Sequence, residues 1–378
     1  MDIMLNAEEK AFKENCLSFC RQKLTTIAER YGETADIPTE LIESMAEAGF
    51  FELLIPEELG GQGVKALRIC LAREALSGFY CPADVTLAMQ GLGSYPIVLS
   101  GNQAQKEKYL SKIGRGELLT TYALTEPEAG SDVNAMSSQA RETPDGFILD
   151  GKKRFISNGY AANILVAFAK TPQADNPRAM SAFILEKGMP GFTVTRRLEA
   201  MAPHDLVELE FDHCLVPTEN LLGKVGDGYK TAMRTLDVFR MSVGAAAVGI
   251  GQAAFDAALN YAKKRVQFGS PIARFQAIQL KLAEMATELD ASRALVYRAA
   301  ISKDKGHSNV SRAASMAKLF ATEAAFRAVD QGVQVHGGLG VIKGSKVERL
   351  YREIRALRIY EGTSEIQKFI IANSLLKS

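Results

Sequence analysis

The chain has 378 residues, with 45 Lys and Arg against 44 Asp and Glu, a formal charge of +1. At about 100–200 residues per domain, that length predicts two or three domains with sizeable cores. The charged fraction of 24% and hydrophobic fraction of 47% exclude a disordered chain, and the balanced charge leaves no global field for nucleic acid or an anionic membrane.

The N-terminus, MDIMLNAEEKAF, has neither the basic and apolar stretches of a secretory signal nor the acid-poor composition of a transit peptide. Residues 1–118 read as helical. Phe12, Cys16, Phe19, Leu24 and Ile27 recur near a 3.6-residue period between Glu8 and Ala28. Further helices are expected over Thr39–Ala48, Lys65–Leu76 and Gln103–Leu110, with a turn at Pro56–Gly61. Cys16, Cys20, Cys70, Cys81 and Cys214 are odd in number and scattered, so they read as buried structural thiols and not as disulfides or metal ligands. A cytoplasmic protein is the resulting expectation.

Residues 119–225 change character. Seven of the twelve prolines lie between Pro127 and Pro217, and only Pro271 follows residue 226. Phe147–Gly151, Ile164–Phe168 and Met180–Leu185 are short apolar runs bounded by turn residues. Gly191–Thr195 and Val207–Phe211 alternate with period two. All five read as strands of an all-β segment. From 226 to 378 helical periodicity returns, as in Leu282, Met285 and Leu289. No apolar run reaches the roughly 18–20 residues of a membrane span. The nearest, Ser242–Phe255, is cut by Gly244, Gly249 and Gly251, which suit close helix packing.

Standard nucleotide signatures fail in detail. Lys does not follow the second glycine of Gly223–Lys230, and His336–Gly340 continues into Lys343 where GxGxxG needs glycine. Lys343, Lys346, Arg349, Arg352, Arg355 and Arg358 step by threes and drift around a helix, so they read as solvated partners of Glu348 and Glu353, with a local phosphate site as the alternative.

Three segments carry chemistry. Tyr122–Asp132 is a turn rich in Gly, Thr and Ser that can bring hydroxyls and backbone N–H groups to a planar polar ligand. Lys153–Gly159 reads as a strand entering an Asn-Gly hairpin. In Ile359–Gln367, Ser364 and Gln367 fit a capping box, which sets Glu361 just before a helix. Glu361 is then either a solvated turn carboxylate or a poorly solvated base.

In this order, together with Gln334–Gly340, Arg265–Gly269 and Phe275-Gln276, these segments resemble the acyl-CoA dehydrogenase family over essentially the whole chain. The resemblance implies a mainly α fold with a central all-β domain: an N-terminal helical domain (1–118), a middle β-barrel-like domain (119–225) and a C-terminal four-helix bundle (226–378). It implies FAD, a homotetramer and an electron-transferring flavoprotein as acceptor. The flavin would be contacted by Tyr122, Leu124, Thr125, Gly130 and Ser131, by Phe155, Ile156 and Ser157, and by Thr363, Ser364 and Glu365. Phe155 stands where many relatives carry an indole. The adenine diphosphate end would be held by Arg265, Phe268, Gln276, Gln334, Val335, His336, Gly337 and Gly338, largely across a subunit interface. Ser131, Asp237, Phe239, Arg240 and Gly362 would contact acyl-CoA. Glu361 would remove the α-proton while hydride leaves the β-carbon for the flavin. No metal is implied.

Two departures stand out. Phe239 occupies the position where some relatives place their base, which leaves Glu361 alone in that role. The turn Ala202–Leu206 is unlike the family's usual Gly/Arg/Ser type and leaves acyl class open, a cyclic or branched group included. Val85–Tyr95, expected to line the acyl pocket, has no Arg for a distal carboxylate. An acyl-CoA oxidase, a dehydrogenase of carrier-protein thioesters and a catalytically silent scaffold are the alternatives.

Overall fold

The computed structural model describes residues 4–173, 176 and 179–377. The helices are α1 (Ala7–Phe19), α2 (Thr25–Tyr31), α3 (Thr39–Glu47), α4 (Ala66–Ser77), α5 (Cys81–Ser100), α6 (Gln103–Gly114), α7 (Gly228–Lys264), α8 (Gln276–Asp304), α9 (Val310–His336), α10 (Lys346–Leu357) and α11 (Ser364–Leu376). The strands are β1 (Thr120–Ala123), β2 (Gln139–Thr143), β3 (Gly146–Ser157), β4 (Ile164–Lys170), β5 (Met180–Glu186), β6 (Phe192–Arg197), β7 (Leu206–Val216) and β8 (Leu221–Leu222), with a small hairpin of β9 (Val266–Gln267) and β10 (Ser270–Pro271). The molecule is a predominantly helical fold with a central β domain.

Contacts group the chain into two compact units. One comprises Met1–Glu29, Lys65–Asp84 and Asp237–Ser378, the other Arg30–Val64 and Val85–Leu236. In the first, the core is alanine-rich: Ala246, Ala247, Ala254 and Ala258 of α7 pack with Leu289 of α8, Ala325 and Ala328 of α9, and Leu350 and Ile354 of α10. The glycines of α7 explain how closely these helices approach. A Cβ on Gly249 would lie 2.1 Å from the Glu74 carbonyl oxygen, and one on Gly251 would lie 2.6 Å from Leu289. Helix α7 is long and apolar enough to cross a membrane by length and composition, and 89% of its most apolar window is buried within the protein.

In the second unit the sheet runs β6-β7-β3-β2-β4-β5-β8, with β1 parallel to β4. Its core face collects Phe147, Leu149, Leu165, Phe183, Leu209 and Phe211. β3 pairs with β2 and β7, while β4 pairs with β1, β2 and β5. The expected Asn-Gly hairpin after β3 is therefore absent. Asn158 does take a left-handed φ of 57°, but the turn leads to a strand elsewhere in the sheet.

Helix α5 falls within the stretch read as helical, although no separate helix was delimited there. It runs through Gly91, Gly93 and Pro96, and a Cβ on Gly93 would meet Thr120 Oγ1 at 2.1 Å. All five cysteines are free thiols, four of them buried. The α10 cations are only partly solvated. Arg352 bonds Glu348 (2.6 Å) and Arg358 reaches Glu323 (2.8 Å), whereas Glu353 is a buried residue.

Gly249→Ala forces a methyl group into the α4 backbone, and overpacking of this kind costs about 1–3 kcal/mol. Chemical denaturation is expected to show that loss, with an unchanged result refuting the tight α4–α7 approach.

Candidate active site

Glu361 lies in the turn between α10 and α11. Its φ is 54° and that of Gly362 is 92°, both left-handed. The first is unfavourable for a residue with a Cβ and persists only where surroundings impose it. Three side chains do so. The Glu361 carbonyl accepts from Gln367 Nε2 (3.2 Å) and Arg240 Nε (3.4 Å). The Gly362 carbonyl accepts from Gln367 Nε2 (2.8 Å) and Lys318 Nζ (2.8 Å). Glycine suits 362 because a φ of 92° strains other residues, and a Cβ there would also displace Gln367 Nε2, 2.6 Å away, from the two carbonyls it bonds. The helix cap differs from expectation by one residue. Thr363 is the N-cap, accepting from the Ile366 N–H, and Ser364 opens α11 with its hydroxyl donating to Glu323 (2.5 Å).

The Glu361 carboxyl is poorly solvated. Its Oε2 is buried and makes no hydrogen bond. Burial pushes its pKa up to about 7, against the pull of Arg73, Arg240 and Lys318. Two of these cations are committed elsewhere. Arg73 grips Asp84 with two bonds (2.8 and 2.9 Å) and donates to Ser242 (2.8 Å). Arg240 donates to Asp237 (3.1 Å), which also accepts from Ser311 (2.5 Å). Residue 239 is a fully buried phenylalanine, so an apolar ring stands where a second carboxylate could.

The other unit carries the residues matched to flavin contacts. Tyr122 sits on β1 with its ring against Phe168, at 4.8 Å between centroids. Leu124 and Ile156 are buried, so their side chains serve the core. Thr125 is half-buried, and Gly130 and Ser131 are exposed. The loop is anchored from below. Lys153, fully buried, pairs with Glu126 (2.8 Å), which also accepts from the Ser137 and Ser138 N–H groups (2.6 and 3.1 Å). Burial pushes the Lys153 ammonium down to about 8.

The β3–β7 register shifts between Lys153 and Ile156, and inside that bulge Phe155 takes φ 59°. A bulge re-aims a side chain, and here the Phe155 ring is 55% exposed with the Arg154 guanidinium 5.0 Å from its centroid. The departing turn also finds a role. Asp205 is buried and accepts from the Tyr160 and Ala161 N–H groups (3.1 and 2.9 Å), closing the turn after β3. His204 Nε2 stands 3.4 Å from Ser157 Oγ.

The residues expected at the adenine end lie about the β9–β10 hairpin, the start of α8 and the C-terminus of α9. Arg265, Gln276, Gln334, Gly337 and Gly338 are exposed, and Phe268 is 96% exposed. His336 stacks on Tyr261 at 4.5 Å, while Val335 is buried in the helical core and offers only its backbone. Lys318 and His336 are separated by about 27 Å along α9, from the 1.5 Å rise per residue.

Unassisted, the sequence did not point to Lys318, Arg73, Asp84 or Glu126. Their one signal is charge at a buried helical or strand position, as at Lys318 among Ala314, Ala317 and Ala321.

Each unit, taken by itself, has residues that fit a part of FAD. In one, Gly130 has open space where a Cβ would stand and Phe155 offers a ring face; in the other, Gly337 and Gly338 are equally open, and Arg265 with Gln276 and Gln334 supplies the charge and amide donors that suit a diphosphate and a purine.

The comparisons agree. Residues 6–117, 121–214 and 226–376 match the models of the N-terminal, middle and C-terminal domains of acyl-CoA dehydrogenase. The chain is 42% identical to 3-(aryl)acrylate reductase of Clostridium sporogenes over 95% of its length and 96% of that protein's. It is 39% identical to caffeyl-CoA reductase-Etf complex subunit CarC of Acetobacterium woodii, covering 98% of each. The solved structure of butyryl-CoA dehydrogenase from Megasphaera elsdenii superposes with a TM-score of 0.93 at 38% identity, covering 100% of both chains.

The folded protein holds the Glu361 proton up to about pH 7, whereas the unfolded chain releases it near 4.5. Ionisation therefore costs stability progressively across that window and fully above it. Glu361→Gln is expected to raise the thermal midpoint over wild type at pH 8, with the advantage shrinking toward pH 5. Equal differences at both pH values would refute the poorly solvated carboxyl.

Proposed function

The chain belongs to the acyl-CoA dehydrogenase family of FAD-dependent oxidoreductases, and from that premise we propose that it interconverts an acyl-CoA thioester and its 2-enoyl-CoA, with Glu361 exchanging the α-proton. The observation that carries this reading is a carboxyl on a rigid left-handed turn, desolvated until it titrates at about 7. A base is most effective when its pKa lies near the working pH.

The thioester α-proton is weakly acidic, and its removal needs charge stabilisation on the adjoining carbonyl oxygen. The N–H of Glu361 is the donor we assign to that oxygen. Gln367, Arg240 and Lys318 hold the peptides on its C-terminal side, so that the donor is aligned before reaction. Asp237 and Arg240 serve the CoA moiety, with Gly362 and Ser131. When bound, FAD supplies the acceptor for the β-hydrogen as hydride. Tyr122, Leu124, Thr125, Gly130, Phe155, Ile156, Ser157 and Thr363–Glu365 orient it, and Arg265, Phe268, Gln276 and Gln334–Gly338 hold its adenine diphosphate. An electron-transferring flavoprotein is the partner we propose, and the relative named as an Etf-complex subunit supports it. A homotetramer is the assembly we propose, and its interfaces would cover exposed apolar side chains such as Phe268, Leu280, Val341 and Ile342.

The same carboxyl, titrating near neutrality, can return the proton as well as take it. That property, with two relatives named as reductases of aryl-acrylate or caffeyl substrates, supports a second reading in which the chain saturates an aryl 2-enoyl-CoA.

An anaerobic panel of butyryl-, branched acyl- and 3-phenylpropionyl-CoA is expected to bleach the flavin absorbance. No bleaching by any member overturns the reading. Rapid recolouring by oxygen alone would move the assignment to an oxidase. Because Glu361 works deprotonated, the bleaching rate should rise with pH and reach half its plateau near pH 7. Glu361→Gln is expected to lower it by about 10²–10⁴-fold, and a normal rate in that variant would remove Glu361 from the chemistry.

A further inference from the structure

Lys318 has no place in the steps above beyond holding a carbonyl. It lies on α9 in a row of small residues, Ala314, Ala317 and Ala321, with no exposed surface. A lysine there must desolvate its ammonium. Arg73 and Arg240 offset the same cost with Asp84 and Asp237. Lys318 has no ion-pair partner among the described residues, and its one hydrogen bond goes to the Gly362 carbonyl (2.8 Å). A neutral amide donor would satisfy that carbonyl, as Gln367 Nε2 already does at 2.8 Å. The charge therefore needs its own account.

The groups around the turn supply it. From α4 and α5 come Arg73 and Asp84, already paired. From α7 come Asp237 and Arg240, also paired. On α9, Glu323 is taken up by Ser364 (2.5 Å) and Arg358 (2.9 Å). On α11, Glu365 is exposed to solvent. Tyr360, before the base, is held in its neutral form by burial. The remaining carboxyl is that of Glu361, whose Oε2 is buried without a partner.

We infer that Lys318 is a positioning and charge-setting residue for Glu361: its ammonium clamps the Gly362 carbonyl and is the cation near the base that no other carboxylate neutralises. It lowers the cost of ionising Glu361 and fixes the turn that aims it. Burial pushes Lys318 down to about 8, with Glu361 the largest opposing influence, so near neutrality each charge favours the other.

This inference rests on the proposed role of Glu361, and the test separates the two. The holoenzyme and its Lys318→Met and Lys318→Arg variants are compared with an acyl-CoA that bleaches the wild type, across pH 5–9. Loss of a cation raises the pKa of a neighbouring carboxyl. Lys318→Met is expected to move the acid limb of the bleaching rate to higher pH, so its loss of rate is largest at low pH and recovers as pH rises. Lys318→Arg, which keeps the charge, should retain the wild-type limb at a lower plateau. FAD content should match wild type in both. A rate lowered equally at every pH in Lys318→Met, or a limb displaced as far in Lys318→Arg, would overturn the charge-setting role.

A second readout needs no turnover. In pH-difference infrared spectra of the holoenzyme, the protonated-carboxyl band that Glu361→Gln abolishes should titrate at higher pH in Lys318→Met. An unmoved band refutes Lys318 even if Glu361 proves not to be the base, and absence of bleaching in wild type refutes the reaction without touching this measurement. Should Lys318→Met not fold, Lys318→Gln carries both measurements with the same expectation.

Discussion

Everything at the candidate active site depends on two consecutive left-handed residues, Glu361 and Gly362. A glycine adopts that geometry freely, whereas a glutamate there is strained. The strain is carried by side chains from α7, α9 and α11, whose donors converge on two neighbouring carbonyl oxygens. The turn is thus a product of bundle packing and not of local propensity. The glycines that let α7 come so close to α4, α8 and α9 belong to the same constraint, because Arg240 is mounted on that helix.

Electrostatics follow from the geometry. Desolvation alone would leave the Glu361 carboxyl protonated far above neutrality, and a fully compensated one would stay ionised and weakly basic. The balance lies between these limits because desolvation is opposed by Arg73, Arg240 and Lys318, while Asp84, paired with Arg73, works against them. Phe239 sharpens it, since a carboxylate in that position would add a like charge beside the base.

Periodicity and turn chemistry were enough to read the helical, β, helical order, because each element buries one face with a regular repeat. Pro127 and Pro217 fall near the ends of the β segment for the same reason: proline is tolerated at its turns and excluded from long helices. Helix α5 lay inside the stretch read as helical but its bounds were not legible, because Gly93 answers to Thr120, a residue distant in sequence that local composition does not register. The Asn-Gly turn after β3 was real but led to a different strand, since register in a sheet is decided by which faces are apolar and not by the turn alone. The ordered segments at Tyr122, Lys153 and Glu361 were legible as motifs. Their supports were not, because Glu126 with Lys153 and Gly362 with Lys318 are joined across long separations.

Both units use a buried lysine against a loop carbonyl beside a functional segment. Lys153 Nζ reaches the Leu124 carbonyl (3.4 Å) and Lys318 Nζ that of Gly362 (2.8 Å). The difference lies in the counter-charge. Lys153 has Glu126 at 2.8 Å, fully buried and hydrogen-bonded in turn by two backbone N–H groups, so that pair is closed and acts as a structural rivet. A closed pair has nothing left to offer a third group. Lys318 has no such partner, which is costly for folding and makes sense only if its field is used. The carboxyl that can use it is the one whose ionisation the reaction requires. Giving Lys318 its own Asp or Glu would remove its share of the field at Glu361 and leave that carboxyl harder to ionise at the pH where it has to accept a proton.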